Sequence, residues 1–238
     1  MKNSPLFTIG DLSQVGIVRK SGRRKSGRTF DTMQENTSRT GPPEFAKSPN
    51  RWSLYLKSIS IDENFEALSI DENEIYFISI AWDYSGLPPI IYPPKDANIS
   101  EFTIPLQPGN VRKFVGDGIC IWPPRIVTGS LNIIITIFES DKDVRQLGAK
   151  LTKIHSVVKD SQLTSLITSI PNPTMIIAGT VANLAKELIG AIGRVLEENG
   201  DDYVNALLGS YATDKPQTSR VEAYTSKGIG IELEFVVS

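Results

Sequence analysis

Hydrophobic positions recur along this chain of 238 residues at two different periods, and the change of period divides it. From Trp52 to Ile61 (WSLYLKSISI) an alternating run passes through Tyr55, Lys57 and the Ile59/Ile61 pair, which predicts a strand. Glu74 to Trp82 (EIYFISIAW) is denser in β-branched and aromatic residues and predicts a central strand. Shorter strands are expected at Pro89–Tyr92, Phe102–Leu106 and Gly118–Trp122. Prolines at 88, 89, 93, 94, 105, 108, 123 and 124 lack the amide that a ladder needs, so these pieces belong at edges and strand ends. Ser130 to Phe138 (SLNIIITIF) is the strongest strand pattern, and two more runs close the chain at Tyr203–Tyr211 and Gly230–Val237. Many short strands with turn residues between them predict an antiparallel β-sandwich.

Helical spacing interrupts this pattern between residues 144 and 199. Val144–Val158 alternates charged and apolar residues at that spacing, and Leu163–Ile170 extends it after a break. Asn172-Pro173 then offers an N-cap and a first-turn proline, and Asn199-Gly200 a stop. Between them Ile177, Val181, Leu184, Leu188, Ile192 and Val195 form one apolar stripe, opposite Asn183, Glu187 and Arg194. The expected helix has about 26 residues and a length of ~39 Å. Gly179, Gly190 and Gly193 on one flank would let another backbone come close, so this helix, with Leu188 in its stripe, is expected to be a packing surface. The fold class is therefore mainly β with an inserted helical segment (α+β), one long amphipathic helix preceding the final strands.

Charge separates the N-terminus from the rest. Residues 1–51 carry ten Lys/Arg against four acids, while the remainder holds 15 basic and 23 acidic residues, within a net charge of −2. Residues 1–50 read as a basic, low-complexity arm and residues 51–238 as the sandwich with its helical insertion. The segment containing Arg19, Lys20, Arg23, Arg24, Lys25 and Arg28 has too little apolar surface to offset its own ordering entropy. Such an arm suits a phosphate, an acidic lipid surface or an acidic patch on a protein. The short apolar runs Leu6–Ile9 and Val15–Val18 could pair with a partner as strands. No aromatic residue lies among the basic ones, so stacking on single-stranded bases is not indicated. A basic arm before a β-rich body is similar in layout to icosahedral viral coat proteins, which implies a nucleic-acid-binding arm as one possibility.

Acidic loops flank two of the predicted strands. Ser60-Ile61-Asp62-Glu63-Asn64 recurs as Ser69-Ile70-Asp71-Glu72-Asn73, and Glu139-Ser140-Asp141-Lys142-Asp143 follows the strongest strand. Backbone-capping turns explain the first pair, while clustered carboxylates would also suit a hard cation. The run Leu131–Asp143 resembles a C2-type β-sandwich, in which a hydrophobic strand enters a D-x-D loop that binds calcium; Asp71–Ile80 resembles the strand after the first such loop. The resemblance covers residues 52–143 and implies a C2-like or jelly-roll-like sandwich, with calcium as a possible cofactor at Asp62, Asp71, Asp141 and Asp143. The chain departs from that family in two respects. Its next acid after the pair is Asp160, and the long helical segment has no counterpart there.

Catalytic patterns are scarce. The chain has one histidine, His155, among helical neighbours Leu151, Ile154 and Val158, and one cysteine, Cys120, between Ile119 and Ile121. The expected roles are an ordinary helix histidine and a buried structural thiol, although sequence leaves a Cys120–His155 dyad open. No G-x-S-x-G elbow, G-K-[ST] phosphate loop or zinc spacing occurs, and Gly228-Ile229-Gly230 lacks a third glycine and reads as a bend or bulge. A single cysteine permits no internal disulfide, and no secretory leader or spanning helix is read, so a soluble intracellular protein is expected. The functional expectation is a non-enzymatic structural or adaptor subunit of a homo- or hetero-oligomeric assembly, its arm reaching a neighbouring molecule. The alternatives are a C2-like module that binds membranes or phosphate surfaces, and a coat-type shell subunit whose arm binds nucleic acid.

Overall fold

Strands β3 (Asn73–Trp82) and β8 (Ser130–Glu139) pair antiparallel over eight positions and are covered on both faces, which accounts for their nearly continuous apolar sequence. Ile75, Phe77 and Ala81 of β3, with Leu131, Ile133, Ile135 and Ile137 of β8, point between two sheets. Tyr76, Ile78, Ile80 and Trp82, with Ile134 and Phe138, point the other way, towards helices. The molecule, a computed structural model, describes residues 6–8, 45–62, 73–95, 97, 102–140, 147–161, 178–197, 202–226 and 228–238.

The first sheet runs β1 (Leu6–Thr8), β9 (Asp202–Ala212), β8, β3, β4 (Ile90–Tyr92), with β5 (Ile104–Leu106) also on β3. The second runs β10 (Arg220–Ser226), β11 (Ile229–Val237), β2 (Lys47–Ile61), β6 (Val111–Lys113), with β7 (Ile119–Thr128) also on β2. Every described pairing is antiparallel. Helices α1 (Leu147–Asp160) and α2 (Ala178–Glu197) lie on the outer face of the first sheet. The architecture is a β-sandwich with a helical third layer, as the patterning predicted.

Leu184, Leu188 and Ile192 of the predicted stripe are buried in that third layer, together with Ala185, Ile189 and Leu196. Burying a leucine of this kind stabilises the fold by about 1.5–3 kcal/mol, enough to offset the glycines of α2. At Gly190 a Cβ would meet only the Arg194 Nη1 atom, at 3.7 Å. Among the described residues, no backbone from outside α2 closes on that glycine. Within the chain, α2 instead packs through its leucine stripe. The predicted start at Asn172-Pro173 and stop at Asn199-Gly200 lie outside the described residues.

Three local expectations change. Cys120 is exposed instead of buried. Register slips here, because Leu54 faces Trp122 while Tyr55 faces Cys120, leaving Ile121 as an extra residue. Such a bulge lets Ile121 and Trp122 both enter the core and leaves Cys120 outside. Second, Gly228 (φ +70°) forms a tight hairpin turn, in which Ser226 faces Ile229 across β10 and β11. Third, β2 begins at Lys47 instead of Trp52, and the first apolar run of the arm pairs with the chain's own β9, Phe7 opposite Leu208.

Candidate functional site

A change of parity in β2 builds the most distinctive surface. Its core residues are even-numbered at Trp52, Leu54 and Leu56 but odd-numbered at Ile59 and Ile61. Lys57 is the extra residue, since Leu56 faces Leu233 and Ser58 faces Glu232 on β11. A bulge increases local twist and re-aims the groups around it. On the other side of β2, the Lys57 carbonyl accepts from Phe114 N at 2.8 Å, and its Nζ donates to the Gly116 carbonyl at 3.1 Å. The ammonium also pairs with Glu234 at 3.1 Å.

These contacts hold residues 114–118 as a fixed excursion between the edge strands β6 and β7. Gly116 (φ +68°) and Gly118 (φ +87°) adopt left-handed backbone. At Gly118 a Cβ would collide with the Leu56 carbonyl oxygen, so only glycine lets the loop return to the sheet so closely. Phe114 packs against the sandwich core as the loop's anchor. Val115, next to it, is 97% exposed, and Val111 is 55% exposed. Arg112 and Lys113 stand exposed between the two valines, and Asp117 is the one exposed carboxylate of the excursion.

Elsewhere on the same edge strand, the Arg125 guanidinium lies 3.5 Å from the centroid of the Trp122 ring. Burial lowers its pKa, and the nearby Asp83 carboxylate opposes that shift. Asp83 is itself buried and accepts from Ser85 Oγ at 2.6 Å and Thr128 N at 2.9 Å, which ties the end of β3 to β7. This cluster is structural, with its carboxylate engaged by hydrogen bonds.

The residues singled out from sequence fall apart in space or beyond description. Asp62 is exposed at the end of β2, its amide bonded to the Gly228 carbonyl at 2.6 Å. Asp71, Asp141 and Asp143 lie outside the described residues, as do Arg19, Lys20, Arg23, Arg24, Lys25 and Arg28. Among the described residues no group of three or more His, Cys, Asp or Glu is placed to hold a metal. His155 sits on α1, with its Nε2 3.1 Å from the Pro93 carbonyl, whereas Cys120 sits on β7 of the second sheet. The first sheet lies between their layers, so the dyad left open by sequence does not form. Sequence reading passed over Val115, whose glycine-flanked position has no strand or helix period to reveal it.

No family model matches the chain, and no curated protein matches it. Among solved structures it is similar to human GIVD cytosolic phospholipase A2 in complex with methyl gamma-linolenyl fluorophosphonate inhibitor and terbium chloride. That likeness has 8% identity and a TM-score of 0.35, over 82% of this chain and 18% of that one. Drosophila C2-DSL-EGF1 is similar at 9% identity and a TM-score of 0.33, over 79% of this chain and 67% of that one. This chain therefore spans 18% of the phospholipase's length. Likeness at these scores says nothing about activity. Among the described residues, no helix is long and apolar enough to cross a membrane.

Proposed function

We propose that this chain is a non-catalytic, C2-like binding module that docks reversibly on anionic lipid surfaces through the β6–β7 edge. The observation that carries this reading is Val115, 97% exposed on a loop pinned by Lys57 and presented beside Arg112 and Lys113. Scattered exposed valines are ordinary on protein surfaces. This one differs because its backbone is held in place, two cations adjoin it, and a second exposed valine lies four residues away. Inserting one valine is worth about 1.5–3 kcal/mol, and each basic residue near an anionic bilayer about 1 kcal/mol. Together they give weak association, sensitive to salt, which a basic arm could strengthen by adding contacts.

Co-sedimentation with vesicles tests the reading. The full chain should pellet with phosphatidylcholine vesicles containing phosphatidylserine, remain in solution with phosphatidylcholine alone, and be released by high salt. Val115→Asp and the Arg112→Glu/Lys113→Glu pair should each remove binding while leaving the melting temperature in place. Equal binding to both vesicle types, or variants that bind as well as the parent, would sink it.

A second reading, an assembly subunit, draws on β1. Among the described residues, β1 pairs Leu207, Leu208 and Gly209 of the eleven-residue β9, so this edge accepts a short strand from the arm. In an assembly that strand would come from a neighbouring copy. Light scattering should then show multimers that shrink when residues 1–8 are removed, and a monomer in both cases would dismiss this reading.

A further inference from the structure

Among the described residues, every sheet edge but one is guarded against pairing with another chain. Strands β1, β4 and β5 are each three residues long, with Pro93 directly after β4 and Pro105 inside β5. β6 is equally short and presents Arg112 and Lys113 exposed. β7 holds Pro123 and Pro124 and slips its register against β2. Short length, proline, positive charge and bulges are the devices that keep an edge from recruiting a foreign strand. β10 is the exception. It pairs with β11 at seven consecutive positions without a register shift, and it contains no proline or lysine.

The hairpin decides which backbone groups β10 offers. Ser226 faces Ile229 across the tight turn at Gly228, which makes these two a hydrogen-bonded pair. Alternation along the ladder then turns the amides and carbonyls of Val221, Ala223 and Thr225 away from β11, to the open edge. The side chains of the same three residues are exposed, Val221 by 54%, whereas Glu222 and Tyr224 between them are partly buried. None of the three is charged.

That row is self-complementary. A two-fold axis at Ala223 sets Ala223 against its own copy and Val221 against Thr225 of the second copy. Each pair matches outward donors with outward acceptors, and the valine and threonine make a favourable β-branched contact. On the other face Arg220 meets Ser226 and Glu222 meets Tyr224, so no like charges stand directly opposite. Arg220 stays on Glu222 of its own copy, at 2.6 Å. Glu232, beside Ala223 on β11, is three strand spacings from its counterpart, ~14 Å and beyond the screening length of about 10 Å.

We propose that β10 is a homodimerisation edge, pairing antiparallel with β10 of a second copy about a two-fold axis at Ala223. The second sheet then runs unbroken through both molecules. One strand pair buries little area, so the dimer is weak and reversible. It does not use the β6–β7 edge and does not depend on membrane docking there.

Sedimentation velocity of the full chain, from micromolar to millimolar concentration, tests the assignment. The parent should pass reversibly from monomer to dimer. Ala223→Lys sets two ammonium groups directly opposite, Ala223→Glu two carboxylates, and each should weaken association by roughly tenfold or more. An equimolar mixture of the two variants should restore the dimer, an outcome that a merely structural role for Ala223 would not produce. Melting temperatures close to the parent's show that both variants fold. Val115→Asp should dimerise as the parent does, which separates failure of this edge from failure of the membrane surface. A parent that stays monomeric throughout, a dimer that either charged variant leaves intact, or a mixture that associates no better than its components would each overturn the assignment.

Discussion

The Tyr211 phenol donates to Glu222 Oε2 at 2.8 Å, joining β9 of the first sheet to β10 of the second. Tyr211 is fully buried and stacks on Phe235 with ring centroids 4.8 Å apart. Arg220 completes the arrangement, its Nε 2.6 Å from Glu222 Oε1 and its guanidinium carbon 4.9 Å from the Phe235 ring centroid. Tyr211→Phe keeps the ring packing and deletes only the hydrogen bond to a carboxylate. It should cost about 1.5–3 kcal/mol, the usual worth of a hydrogen bond to a charged group, as a lower denaturant midpoint with unchanged slope.

Alkaline pH acts on the same residue. Burial first, then the Glu222 charge and hydrogen bond, hold the Tyr211 phenol well above its ordinary range, against a smaller opposing effect of Arg220. Burial also raises Tyr84 and Tyr92 to about 12 and pushes Tyr203 up. In the unfolded chain these phenols ionise near pH 10, so above that pH the native state holds more protons than the unfolded state. Their contribution to stability is complete below about pH 10 and is lost as pH rises towards the folded values. Melting temperature should be flat from pH 8 to about 9.5 and fall steadily above 10; a flat profile to pH 11 would contradict this.

Leu188 is 1% exposed between α2 and the first sheet. Leu188→Asp would set an unpaired carboxylate among apolar side chains and should destabilise the fold by about 3–5 kcal/mol. Unchanged melting would show that α2 does not lie on the sheet.

Cys120 gives a chemical test of the β7 bulge. The thiol is exposed, and partial desolvation raises its pKa. One thiol should react with a disulfide reagent in the folded protein without denaturant, more slowly than free cysteine at the same pH. Reaction only after unfolding would return Cys120 to the core.

The β-sandwich was legible because β3, β8 and β9 must be apolar to serve two packed layers, and the stripe containing Leu188 because α2 covers one of them. Strand β6, Val111-Arg112-Lys113, and strand β10, from Arg220 to Ser226, were not foreseen. Exposed edge strands bury too little to impose alternation on their residues. The candidate surfaces were hidden for a related reason. Val115 is displayed by a bulge at Lys57 far away in sequence, and the open edge of β10 exists only once β11 has paired with β2.

Lipid docking by the β6–β7 edge is tested most directly by a nitroxide at position 115, introduced as Val115→Cys in a Cys120→Ser background. On adding phosphatidylserine-containing vesicles, the label should become more accessible to oxygen and less accessible to an aqueous nickel chelate, and should not change with neutral vesicles. A label that stays equally open to the chelate in both cases would contradict membrane contact at this edge.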